Sequence, residues 1–169
     1  MQGINLLNKH GVEWNALAVV NDFNGDYPLD FYRFFKDIHC HYIQFTPVVE
    51  RRVKREDGLS LASGTQTGGE VTDFSVQPHQ WGDFLCGVFD EWVRHDVGDY
   101  YVQIFDATLA NWVGMEPGIC TMARECGHAA VMEWNGDVYS CDHFVFPEHR
   151  LGNLHEKTIT EMMYSDQQK

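Results

Sequence analysis

An Asn135-Gly136 pair stands between two strand-like runs, Ala129-Ala130-Val131-Met132-Glu133-Trp134 and Asp137-Val138-Tyr139-Ser140. Asparagine and glycine tolerate the left-handed backbone that a tight reversal demands, so this dipeptide is a strong local hairpin signal. The hairpin matters because three cysteines surround it as C-x5-C-x9-G-x4-C, namely Cys120, Cys126 and Cys141. Closing it brings Cys126, ahead of the first run, towards Cys141, after the second, with Cys120 a loop away. Three converging thiolates make most of a site for a soft metal, either zinc or an iron–sulfur cluster. The chain has no cysteine pair at two-residue spacing, which disfavours a zinc ribbon, whose thiols come from such knuckles. Spacing alone leaves both metals, and unrelated cysteines, open.

The chain has 169 residues, 44% of them hydrophobic, enough for the core of one domain or of one and part of another. With 25 acidic against 12 basic side chains its formal charge is −13, which repels phosphate backbones and anionic lipid. Neither nucleic acid nor a membrane is therefore an expected partner. No apolar run approaches bilayer-crossing length, and residues 1–5 carry no basic head with a long apolar segment, so the expected location is cytoplasmic. In that reducing compartment an odd set of five cysteines suits metal or redox chemistry better than a disulfide framework. Cys40, ending a helical run, and Cys86, inside an amphipathic one, read as ordinary buried thiols.

Upstream, helix and strand signals alternate. Residues 2–10 read as a short helix closed by Gly11, 13–20 as a strand, and 21–26 as a loop. Pro28 opens a helix to about Ile38, with Phe31, Phe34, Phe35 and Ile38 at helical spacing, and residues 42–47 form the next strand. Such short alternating units are the grammar of an α/β fold built as a βα-repeat sheet or barrel. Ligands collect at the carboxyl ends of such strands, which makes Asn21 and Gln44 candidate cofactor-binding residues, although each is equally a turn former or strand-capping group. Residues 50–76 pass from Arg51, Arg52, Lys54 and Arg55 into a Gly/Ser/Thr-rich run and read as a flexible insertion. Residues 81–94 read as an amphipathic helix, 100–105 as a strand, and about 157–164 as a last helix.

The cysteine motif, with Asp142-His143-Phe144-Val145 directly after it and then Pro147-Glu148 and Leu151-Gly152-Asn153, resembles a known pattern. It is similar to the first half of the SPASM domain of anaerobic sulfatase-maturating enzymes, which are radical S-adenosylmethionine enzymes. The runs Asn15-Ala16-Leu17-Ala18-Val19-Val20-Asn21 and Tyr42-Ile43-Gln44-Phe45-Thr46-Pro47 are similar to late strands of the same enzymes' partial (β/α)6 barrel. The resemblance implies part of that radical-SAM barrel over 1–112, with the insertion at about 50–76, then the N-terminal half of a SPASM domain over 113–169. It further implies S-adenosylmethionine and an auxiliary 4Fe–4S cluster as cofactors and a sulfatase polypeptide as substrate. Cys120, Cys126 and Cys141 match cluster ligands, and Asp142 matches the catalytic base. In this family a 5′-deoxyadenosyl radical removes hydrogen from Cβ of a cysteine or serine, a carboxylate takes the side-chain proton, and the auxiliary cluster is the proposed electron acceptor. The product is formylglycine. A base beside a ligand cysteine is held by a rigid shell, as proton transfer requires; the plainer role for Asp142 is to cap the hairpin end. His128 and His143 stand where they could hydrogen-bond to such a site.

The chain departs from the family pattern. It has no C-x3-C-x2-C motif for the radical-generating cluster, and the downstream SPASM cysteines are missing, so three of four auxiliary ligands are present. It reads as the middle of a longer enzyme, inactive alone. The alternatives are a metal-binding or peptide-interaction module without radical chemistry, and a SPASM enzyme acting on another peptide. Incubated with S-adenosylmethionine and a strong reductant, the 169-residue chain should release no 5′-deoxyadenosine above a protein-free control, as read by liquid chromatography.

Overall fold

The computed structural model describes residues 1–55, 58–61, 69–126 and 129–168, with the backbone alone over 53–55 and 58–61. The chain divides into two compact units, Met1–Met122 and Ala123–Lys169. The 3-10 turn Cys120–Met122 packs back on the preceding helix, where Asn111 Nδ2 donates to the Met122 carbonyl at 3.3 Å.

In the first unit, α1 (Gln2–Lys9) ends on Gly11 at φ +63. That left-handed backbone lets the Gly11 and Val12 N–H groups reach the Asn8 and Leu7 carbonyls at 3.2 and 3.0 Å, satisfying acceptors the helix leaves open. β1 (Ala16–Val20) follows, then α2 (Pro28–Asp37), whose proline occupies a first-turn position that needs no N–H donor. β2 (Tyr42–Pro47) lies parallel to β1 over the register Ala16↔Ile43 to Val20↔Pro47. Parallel neighbours need a crossover, and α2 provides it.

Residues 50–76 do not form the single flexible insertion expected from composition. β3 (Arg51–Arg55), β4 (Gly58–Leu61) and β5 (Glu70–Val71) make an antiparallel sheet in the order β4-β3-β5. Backbone groups paired in a ladder are satisfied whatever side chains they carry, so a polar composition does not preclude strands. Residues 56–57 and 62–68 of that expectation lie outside the described residues.

α3 (Pro78–His95) leads to β6 (Tyr101–Val102), which pairs in parallel with β2 to complete the order β1-β2-β6. The strand expected over 100–105 is only those two residues; the chain turns at once into α4 (Gln103–Trp112). Helical geometry lets Phe105 pack on Phe89 and Trp92, with centroids 5.2 and 5.3 Å away, so tertiary packing overrides the local strand-like composition.

Alternation along the strands sends Ala18, Val20, Ile43, Phe45 and Val102 to one face, where they are buried with Tyr32 and Phe35 of α2 and Phe84, Val88 and Trp92 of α3. Phe45 meets Phe84 edge-on at 5.1 Å, and full burial of Phe84 contributes about 1.5–3 kcal/mol. Leu17, Val19, Tyr42 and Tyr101 are exposed. Gln80, buried at the start of α3, donates to the Asp22 carbonyl and to Asp26 Oδ1 at 2.6 and 2.8 Å, tying the loop after β1 to α3. Cys40 is buried as expected, and burial pushes its thiol pKa up. Cys86 is not: it is exposed, since two residues along a helix from buried Phe84 is about 200° around it. Among the described residues no helix is long and apolar enough to cross a membrane.

Asp96, at the carboxyl end of α3, is the charged residue this core depends on. Its side chain is 7% exposed and accepts from Lys36 Nζ at 2.7 and 2.8 Å and from the Tyr32 hydroxyl at 2.9 Å. Burial, and then donation to Asp96, push the Tyr32 hydroxyl above its ordinary range. Asp96→Ala leaves an ammonium and a buried hydroxyl without their acceptor, so urea denaturation should show a loss of about 3 kcal/mol. Adding Lys36→Met should recover part of that loss.

Candidate functional site

The second unit contains the expected hairpin in shortened form. β7 (Val131–Met132) and β8 (Asp137–Tyr139) pair antiparallel, and β9 (Arg150–Asn153) adds to β8. The reversal spans three residues, Trp134-Asn135-Gly136: the Gly136 N–H donates to the Glu133 carbonyl at 3.0 Å, and the Glu133 N–H to the Asp137 carbonyl at 2.9 Å. Gly136 takes the left-handed position at φ +86, as in a turn followed by a glycine bulge. α5 (Ile159–Met163) begins at Thr158, which exchanges hydrogen bonds with Glu161 in a capping box. Val138, Leu151, Met162 and Met163 form a small separate core. Gly152 passes so close to α5 that a Cβ there would lie 2.9 Å from Met162 Sδ, which explains the small residue in Leu151-Gly152-Asn153.

One carboxylate ties this unit together. Asp137 Oδ1 accepts from Arg150 Nη2 and Nε at 2.6 and 2.7 Å and from Asn153 Nδ2 at 3.0 Å, while Oδ2 accepts from Asn135 Nδ2 at 2.9 Å. The bonds join the turn, β8 and β9. They hold the Asp137 carboxyl well down, at about 2. Sequence reading missed this hub; the only local signal was an aspartate directly after Asn135-Gly136, and nothing in spacing pairs it with Arg150.

Two of the three candidate thiols share one cavity. Cys126 and Cys141 line a space of about 240 Å³ with Phe144, His149, Leu151 and Gln168. Cys120 is exposed at the start of the 3-10 turn in the first unit. Asp142 follows Cys141 in a 3-10 turn, with its side chain 75% exposed and His143 Nδ1 3.2 Å from its Oδ1. The ligand atoms of Cys141, Asp142 and His143 all lie within 4.8 Å of one another. His128 lies outside the described residues. Soft sulfur donors and apolar walls at Phe144 and Leu151 suit a thiolate-bound soft metal such as an iron–sulfur cluster.

The cofactor candidates of the first unit fall in different settings. Asn21 follows β1 and uses its side-chain oxygen on the Phe23 and Asn24 N–H groups, each at 3.0 Å, so it builds the turn there. Gln44 sits mid-strand and lines a cavity of about 600 Å³ with Tyr42, Tyr101, Gln103, Asp106 and Glu116. Of these, only Gln44 was read from the sequence as a site residue.

A thiol-lined cavity next to a hairpin fits the class that comparison returns: residues 120–169 match the iron–sulfur cluster-binding SPASM domain. The chain is 68% identical, over 99% of its length, to the serine-type anaerobic sulfatase-maturating enzyme of Bacteroides thetaiotaomicron. It is 30% identical over 98% of its length to the cysteine-type enzyme of Clostridium novyi, and it spans 41% of the length of each relative. The solved structure of histidine-tagged anSMEcpe with bound AdoMet matches 99% of this chain and 41% of that one, with TM-score 0.76 and 25% identity. The resemblance to anaerobic sulfatase-maturating enzymes read from the cysteine motif therefore holds.

A carboxyl that titrates at about 2 when folded, below its ordinary 3.8, stabilises the fold fully above about pH 4 and ceases to do so as pH falls through 2. Urea titrations followed by the Met162 methyl resonance should accordingly lose midpoint between those limits. Asp137→Asn should lower the midpoint at pH 6 and flatten its acid dependence.

Proposed function

We propose that this chain is the part of a radical S-adenosylmethionine enzyme that joins late strands of a (β/α)6 barrel, over about 1–112, to the auxiliary-cluster domain, over about 113–169. The whole enzyme oxidises a serine of a sulfatase polypeptide to formylglycine in the cytoplasm. The observation that carries the reading is the sharing of one cavity by Cys126 and Cys141, with Asp142 next in sequence, in a chain 68% identical to a serine-type relative.

Turning a Cβ alcohol into an aldehyde removes two protons and two electrons: one hydrogen atom from carbon, one proton from oxygen and one further electron. S-adenosylmethionine and a 4Fe–4S cluster, when bound, supply hydrogen-atom removal from carbon and acceptance of the remaining electron. Cys126 and Cys141, with Cys120, would hold that cluster through thiolates. The hydroxyl proton goes to the Asp142 carboxylate, whose exposure leaves it open to a substrate. His143 Nδ1 stands 3.2 Å from Asp142 Oδ1, within ion-pair distance of the carboxylate when the imidazole carries charge. Asn21 and Gln44 are proposed on the S-adenosylmethionine side, Asn21 by shaping the loop after β1 and Gln44 through its amide.

The test uses the enzyme at the length of its relatives, reconstituted anaerobically with iron and sulfide. Asp142→Asn should keep its iron and still cleave S-adenosylmethionine, while formylglycine yield falls about 10²–10⁴-fold, as measured by peptide mass spectrometry. Cys141→Ala should lose iron as well. Undiminished aldehyde from an iron-replete Asp142→Asn enzyme would remove this carboxylate from the reaction.

A further inference from the structure

Beside the two thiols, the cavity of the second unit holds an aromatic ring with polar atoms that the chemistry above leaves unused. His149 lines the space of about 240 Å³ together with Cys126 and Cys141. Its place is set by backbone bonds and packing. The Ser140 N–H donates to the His149 carbonyl at 3.2 Å, which fixes His149 opposite the residue before Cys141, and the His149 N–H donates to the Phe146 carbonyl at 2.8 Å. The ring packs on Phe144, with centroids 4.9 Å apart and planes 48° from parallel. Among the described residues no hydrogen bond or ion pair takes either ring nitrogen of His149. The imidazole is thus held in the thiol cavity by contacts that leave its own donor free.

A neutral imidazole carries one N–H in either tautomer. Thiolate and sulfide sulfurs are acceptors for it, and bonds to ionised acceptors are the stronger ones. A donor that draws electron density from sulfur favours the state with one more electron, so hydrogen bonds to the sulfurs of an iron–sulfur group raise its reduction potential. The other histidine near the thiols is placed differently. His143 Nδ1 lies 3.9 Å from Cys141 Sγ but nearer to Asp142, at 3.2 Å, and its side chain is 62% exposed and outside the cavity lining. We propose that His149 donates its ring N–H to a sulfur of the iron–sulfur group held by Cys126 and Cys141, and thereby sets how readily that group takes an electron; this role rests on the reading of those cysteines as cluster ligands. His149 touches no substrate and takes no proton in this role. Its contribution is to the potential alone.

The test uses the enzyme at the length of its relatives, labelled with nitrogen-15 histidine, reconstituted anaerobically with iron and sulfide, and chemically reduced. Pulsed electron paramagnetic resonance should show a weak histidine-nitrogen coupling, the mark of a hydrogen bond and not of ligation. That coupling should survive His143→Phe and disappear in His149→Phe, which keeps a ring against Phe144 and removes the donor. In a potentiometric titration, His149→Phe should shift one midpoint negative by about 59 mV, a tenfold change in a one-electron equilibrium, and His149→Gln, which restores an N–H, should recover most of the shift. An unmoved midpoint in an iron-replete His149→Phe enzyme, a coupling strong enough for direct ligation, or a coupling lost with His143→Phe instead would overturn the role. Where His149→Phe holds no iron, the coupling in the unsubstituted enzyme decides, and its absence overturns the role. Undiminished iron in Cys141→Ala would reject the cluster reading beneath it. Iron lost from Cys141→Ala with an unmoved midpoint in His149→Phe would reject only the part given to His149.

Discussion

The first unit depends on the parallel pairing of β1 with β2. Two parallel strands cannot be joined by a tight turn, so the chain must cross over, and α2 crosses against the face that carries Ala18, Val20, Ile43 and Phe45. α3 covers the same face. One side of the sheet is thereby filled with aromatic and branched side chains, while the alternate residues Leu17, Val19 and Tyr42 stay exposed. Gln44 pairs with Leu17 in the register and so belongs with these alternate residues, which is why a mid-strand glutamine lines an open cavity and not the core. The Lys36–Asp96–Tyr32 contact closes the core where α2 and the end of α3 meet, and its buried charge tolerates no missing partner.

In the second unit so few apolar residues are buried that polar bonding takes a larger share of the ordering. Val138, Leu151, Met162 and Met163 make a small core. Asp137 adds bonds to Arg150, Asn153 and Asn135, each assisted by the negative charge, and so fixes the strand that leads four residues later to Cys141. The chemistry proposed for Cys141 and Asp142 therefore rests on a carboxylate that does no chemistry itself. Their own turn is short and exposed, which suits a base that must reach a substrate and a ligand that must reach a metal.

The alternation of elements, the bounds of β2, the proline start of α2 and the glycine end of α1 were legible in the sequence because each follows from local chemistry: periodicity, a missing N–H, or a left-handed backbone. So was the resemblance to the SPASM pattern, because its cysteines and flanking residues stand at recognisable spacing. Tertiary structure alone decided the rest. Phe105 became helical because Phe89 and Trp92 were there to receive it. Residues 51–55, 58–61 and 70–71 became strands because ladder partners were within reach. Cys86 faced solvent because the α3 stripe turned Phe84 and Val88 inward. Asp137 met Arg150, and Asp106 and Glu116 came to one cavity with Gln44, through pairings between distant residues. A sequence records what each residue prefers over one or two turns of chain; which distant charge stands opposite it is set only when the strands close.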